Sequence, residues 1–159
     1  MPGALKRDVT VSFVFEPNGT DHDDLVLRVG GWEHRSDSYY YALDDRVGPP
    51  RDTVAAIRGL LAQWTIRVRA AEGIFYLPYD FSDQCTGWLR GCVEGESISL
   101  VPGWSNREGY SFHPSDHLEV AGELSDFAPL DDVAPCVISR EALLLDIEES
   151  SRSIVGPPL

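Results

Sequence analysis

Between Asp52 and Ala71, apolar residues recur at steps of three and four: Val54, Ile57, Leu61, Trp64 and Val68. That spacing lays them along one face of a helix. Pro49-Pro50 stops the segment before it, Asp52 can cap its first turn, and Gly73 can end it. Arg58, Arg67 and Arg69 fall off the apolar stripe, the last two near the negative end of the helix dipole. A helix with one apolar face must bury it, and what the chain offers to bury it against is mostly strand.

Val9, Val11, Phe13 and Phe15 alternate with Thr10, Ser12 and Val14, the period of a half-buried strand. Pro17 and Asn18-Gly19 then punctuate a turn. Leu25–Trp32 reads as a second strand, with Gly30-Gly31 as a bulge or a close backbone approach, and Ser38–Leu43 as a third. After Gly73 come Ile74–Tyr79, Thr86–Val93 and Ile98–Gly103, the last two joined by a Glu94-Gly95-Glu96 hairpin loop. Glu108–Phe112 offers a further short strand. Residues 113–138 read as loop with short elements, marked by Pro114, Gly122, Pro129 and Pro135. A final helix is expected over Arg140–Arg152, capped by Ser139, with Leu143, Leu144 and Ile147 inward and residues 155–159 frayed.

Short connections favour antiparallel pairing. The expectation is a single α+β domain over residues 1–159. It has a mostly antiparallel sheet of about six or seven strands with two helices packed against it. Neither half alone buries enough apolar surface to fold separately.

Charge narrows the partners. The net charge is −13, and it is uneven: residues 1–79 carry 11 acids and 9 bases, residues 80–159 carry 15 acids and 4 bases. Phosphate backbones and anionic membranes would be repelled, so neither nucleic acid nor a membrane surface is expected. A basic protein is the natural partner, because opposite potentials steer encounter, although an acidic surface also serves solubility alone. No apolar run approaches the roughly 20 residues of a membrane helix. Met1–Asp8 has no apolar region after its basic pair, so a cytoplasmic location is expected.

Motifs for chemistry are sparse. Cys85, Cys92 and Cys136 are odd in number and match no zinc spacing, which points to small buried thiols. His113-Pro-Ser-Asp-His117 sets two imidazoles four residues apart, but Pro114 interrupts a helix there and only distant His22 could add a ligand. No metal or cofactor is expected. Asp44-Asp45 and Asp131-Asp132 would be acid/base pairs only if one carboxyl were buried. No nucleophile elbow, phosphate loop or dinucleotide fingerprint is present.

The aromatics are more informative. Tyr39-Tyr40-Tyr41 on a strand would send one ring away from the other two. Phe75-Tyr76-Leu77-Pro78-Tyr79-Asp80-Phe81-Ser82-Asp83, then Trp88 and Trp104, mixes rings with carboxylates. Rings fill cores by default, yet Tyr and Trp beside acids also make interface anchors that take Arg or Lys from a partner.

The segment Phe75–Arg90 (FYLPYDFSDQCTGWLR), Val101-Pro-Gly-Trp-Ser105 and the Ser115-Asp116 step resemble a pattern in actinobacterial proteins of similar length. Those proteins resemble the immunity proteins encoded beside bacterial polymorphic or contact-dependent toxins. The resemblance covers about the middle half of the chain. It implies stoichiometric inhibition, without catalysis, of a basic toxin domain such as a nuclease, by occluding its active site. The expected contacts are Tyr79, Asp80, Phe81, Asp83, Trp88 and Trp104, with Asp126, Asp131 and Asp132 supplying the field. Two alternatives stay open: a small hydrolase using Asp80 or Asp83 with His113 or His117, and a non-catalytic adaptor whose acidity serves solubility.

Overall fold

The computed structural model describes residues 8–44 and 52–155. Lys6, Asp45, Pro49-Pro50 and the tail from Gly156 therefore lie outside the described residues. In chain order come β1 (Val11–Phe15), β2 (Leu25–Val29), β3 (Trp32–Ser36), α1 (Tyr39–Ala42) and α2 (Thr53–Ala70). These are followed by β4 (Ile74–Phe81), β5 (Thr86–Glu94), β6 (Ser97–Ser105), α3 (Leu118–Glu123), β7 (Ala128–Pro129), β8 (Cys136–Ser139) and α4 (Arg140–Ser153).

The two long helices start where their caps predict. The Asp52 carboxylate accepts the Ala55 amide at 3.2 Å, and Ser139 Oγ accepts the Ala142 amide at 3.1 Å. Ile57, Leu61, Trp64 and Val68 are buried along α2, and Leu143 and Ile147 along α4.

The α+β class and the antiparallel pairing are as expected. The strands divide between two sheets rather than forming one. The first sheet has the order β1-β2-β3. The second runs β4-β5-β6, with β7 and β8 both pairing on β6. Val29 pairs with Trp32, so Gly30-Gly31 is a two-residue hairpin turn and not a bulge within one long strand. Gly30 has φ +59, a conformation that primed hairpin turns demand and glycine supplies.

Two edges of these sheets are covered by side chains from the helices. On the β1 edge, Asp146 Oδ2 of α4 accepts the amides of Thr10 and Val11 at 3.0 and 2.9 Å, and Ser150 Oγ accepts that of Phe13 at 3.1 Å. On the β4 edge, Trp64 Nε1 donates to the Pro78 carbonyl at 2.9 Å, and the Tyr41 hydroxyl donates to the Tyr79 carbonyl at 3.1 Å. Pro78, which has no amide hydrogen, is tolerated because β4 is an edge strand.

Two predicted strands are corrected. Ser38–Leu43 holds the helical turn α1, because the buried Asp24 carboxylate takes both the amide and the hydroxyl of Ser38, at 2.9 and 2.6 Å, and bends the chain there. Tyr41 then points inward, its ring 5.3 Å from that of Phe81 and 6.4 Å from that of Phe13. Glu108–Phe112 forms a turn instead, with both the amide and the hydroxyl of Ser111 donating to the Glu108 carbonyl. One core joins both sheets. Its aromatic run passes from Trp64 through Phe13, Tyr41, Phe81 and Phe112 to Trp88. Among the described residues, no helix is long and apolar enough to cross a membrane.

Candidate functional site

In β4 the register passes from Pro78 opposite Trp88 to Asp80 opposite Gly87. Tyr79 and Asp80 therefore both face the single Gly87, as a β-bulge requires. On its other side Gly87 pairs with Trp104 of β6. Asp80 and Trp104 thus flank a residue with no side chain. A Cβ at position 87 would lie 2.9 Å from the Tyr79 ring and 3.0 Å from Asp80 Cβ, so the close approach needs glycine.

His34 of β3 enters beside this row. Its Nε2 lies 2.6 Å from Asp80 Oδ2. Its ring stacks on Trp32 at 5.7 Å and meets Tyr79 and Trp104 edge-on at 5.3 and 5.8 Å. Both side chains of the pair keep some solvent access, 23% for His34 and 14% for Asp80. The Tyr79 hydroxyl is buried with no hydrogen-bond partner among the described residues. Burial, and then the Asp80 charge, pushes its pKa up, so it stays a neutral phenol. The assembly joins the two sheets and holds an imidazole on a carboxylate.

A second feature is a cleft of about 610 Å³ where the β3–α1 connection meets the β4–β5 turn. Asp37, Tyr39, Tyr40 and Asp83 are among its lining residues, and none of those residues is Lys or Arg. The Tyr40 hydroxyl donates to Asp83, and the Tyr39 ring stands edge-on to that of Tyr40 at 5.0 Å. His22, also in the lining, has Nδ1 3.2 Å from Asp37 and Nε2 3.2 Å from Asp21. Its pKa is raised, first by the Asp37 hydrogen bond and then by the Asp21 charge.

The expected contact residues separate. Tyr79, Phe81 and Trp88 are interior side chains, so they are corrected from docking anchors to core. Trp88 stacks on Phe112 and donates its indole N–H to Thr86 Oγ1, while Phe81 packs on Tyr41 and Phe112. Asp80 is turned to His34. Asp83 is exposed at the cleft and Trp104 is half-buried beside His34. Asp126, Asp131 and Asp132 are exposed. Asp126 accepts the Ser105 hydroxyl at 2.6 Å and the Asn106 amide at 2.8 Å, and chiefly the first of these holds its pKa below the usual carboxylate value.

The described contacts give each residue of the hydrolase alternative a different neighbour. Asp80 pairs with His34, Asp83 with Tyr40, and His113 lies 3.7 Å from Asp44. His117 is buried against the Leu60 carbonyl, and burial lowers its pKa to about 4. Asp44 is buried and accepts the Ser115 amide at 2.8 Å, but Asp45 lies outside the described residues. The cysteines are free and half-buried rather than fully interior. Neither His34 nor the cleft had a local signal: their partners lie 43 to 46 residues away in sequence. Comparison with family models, with curated proteins and with solved structures finds no match for this chain.

Proposed function

We propose that the chain is a non-catalytic binding domain that captures a basic protein, in the manner of an immunity protein that neutralises a toxin domain. The observation that carries this reading is the cleft of Tyr39, Tyr40, Asp37 and Asp83, which has rings and carboxylates on its walls and no Lys or Arg among the described residues that line it. A guanidinium or ammonium group entering it would meet carboxylate acceptors and tyrosine faces together.

The surplus of acid on the second half supports the same reading. Its four bases are already engaged. Arg140 donates to the Val68 and Ala71 carbonyls, Arg90 lies over the Phe127 ring at 5.1 Å, and Arg107 and Arg152 stand 3.9 and 3.6 Å from Glu123 and Glu148. Most carboxylates beyond residue 80 are exposed. Asp131 and Asp132 then act on a partner through the field, steering its approach.

A catalytic alternative would have to start from His34 and Asp80. Their neighbours are rings rather than a nucleophile, so binding is preferred. The reading is tested by co-expression with the product of the adjacent reading frame. The wild-type chain should protect cells and co-purify at one-to-one stoichiometry, and Asp83→Lys with Asp37→Lys should abolish both. Protection that persists in that double variant removes the cleft from the account. An adjacent reading frame that encodes no basic domain removes the immunity reading itself.

A further inference from the structure

We propose that two copies of this chain associate through the groove between α2 and α4. The groove encloses about 690 Å³, with Leu61 and Leu144 among its apolar lining. Leu145 lines it and is 40% exposed, and Ile66, 53% exposed, lies one turn from Ala62 and Arg69 on its α2 lip. On surface helices of so acidic a chain these positions would ordinarily be charged.

The two walls carry opposite charge. No Asp or Glu occurs between Thr53 and Ala70, and α2 lends the groove Arg69, while α4 lends it Glu141 and Glu148 beside Arg140, whose guanidinium is taken up by backbone carbonyls. Arg58 and Arg67 donate to the Ile154 and Leu118 carbonyls, and Arg140 to the carbonyls at the end of α2. Arg69 has no carboxylate partner among the described residues and lines the same groove as Glu141 and Glu148. A two-fold axis lays the basic wall of one copy on the acidic wall of the other, which is what a self-complementary patch needs. Ile66 then meets Leu145 across the axis, and Arg69 meets Glu141. The near balance of bases and acids here also disfavours a basic partner, which finds elsewhere a cleft whose described lining residues include no Lys or Arg. The dimer does not depend on the proposed function.

The test is sedimentation velocity at physiological salt across a concentration series. The wild type should approach twice 17.6 kDa as concentration rises. Ile66→Glu and Leu145→Glu, both at exposed positions, should remain folded by circular dichroism and weaken the dimer by about tenfold or more. Arg69→Glu should weaken it, and Arg69→Glu with Glu141→Arg should recover it. A wild type that stays monomeric throughout the series overturns the proposal. So does a dimer indifferent to both Glu substitutions, because its copies then meet elsewhere. A monomer that binds a basic amphipathic helical peptide in this groove overturns the second copy as the occupant.

Discussion

His34 Nε2 lies 2.6 Å from Asp80 Oδ2, and this hydrogen bond ties the outer strand of one sheet to the outer strand of the other. Sheets meeting at such a joint depend on the pair more than exposed ion pairs usually matter, because both side chains are largely covered. His34→Ala should lower stability by about 1–3 kcal/mol, since it leaves a largely covered carboxylate without its partner. Asp80→Asn should cost less, because the amide keeps the shape and can still hydrogen-bond. Urea unfolding of the two single variants and the double variant measures the coupling. Additive losses would mean that the bond joins nothing.

The β1 edge makes the second prediction. Asp146 accepts two backbone amides there and is fully buried. Asp146→Ala strands both donors and should cost about 2–5 kcal/mol, while Ser150→Ala, which frees only the Phe13 amide, should cost about 1 kcal/mol. The Asp146 variant should also aggregate faster, because an uncovered edge strand pairs with other chains. Light scattering at a temperature where both variants remain folded checks the difference.

These joints mark what local sequence could and could not foretell. α2 and α4 were legible because their apolar period and their caps, Asp52 and Ser139, lie within a few residues of each other. The β4–β6 meander was legible from its turn residues. Tyr39-Tyr40-Tyr41 misled, since three aromatics favour strand. The turn there is set by Asp24, 14 residues earlier, and by Tyr41 burying against Phe13 and Phe81. The division into two sheets was illegible for the same reason: α4 covers β1 through contacts 135 to 137 residues apart. Among the candidate contacts, the aromatic-rich run was visible. Phe75, Leu77, Tyr79 and Phe81 are buried in turn across the bulge, so period two alone assigns these side chains to the core.

The buried His117 gives a pH signature. Its Nε2 faces the Leu60 carbonyl at 3.4 Å, and burial lowers its pKa from 6.5 to about 4. The folded state therefore keeps it neutral while the unfolded chain takes up the proton. The stability it contributes is complete above pH 6.5 and is lost as pH falls from 6.5 to about 4, with no further loss below. The full loss is on the order of 3 kcal/mol. His117→Leu should flatten the stability profile across that window when the slopes, not the absolute stabilities, are compared by denaturant titration.

The claim that a cationic protein docks at the cleft of Tyr39, Tyr40, Asp37 and Asp83 is tested most directly by stopped-flow association. The partner is a basic domain of the proposed toxin class, and the rate constant is measured from low to high ionic strength. The account predicts a rate that falls at least about tenfold as salt is raised, and slower association of Asp37→Asn with Asp83→Asn at low salt alone. A rate constant indifferent both to salt and to those two carboxylates would contradict it.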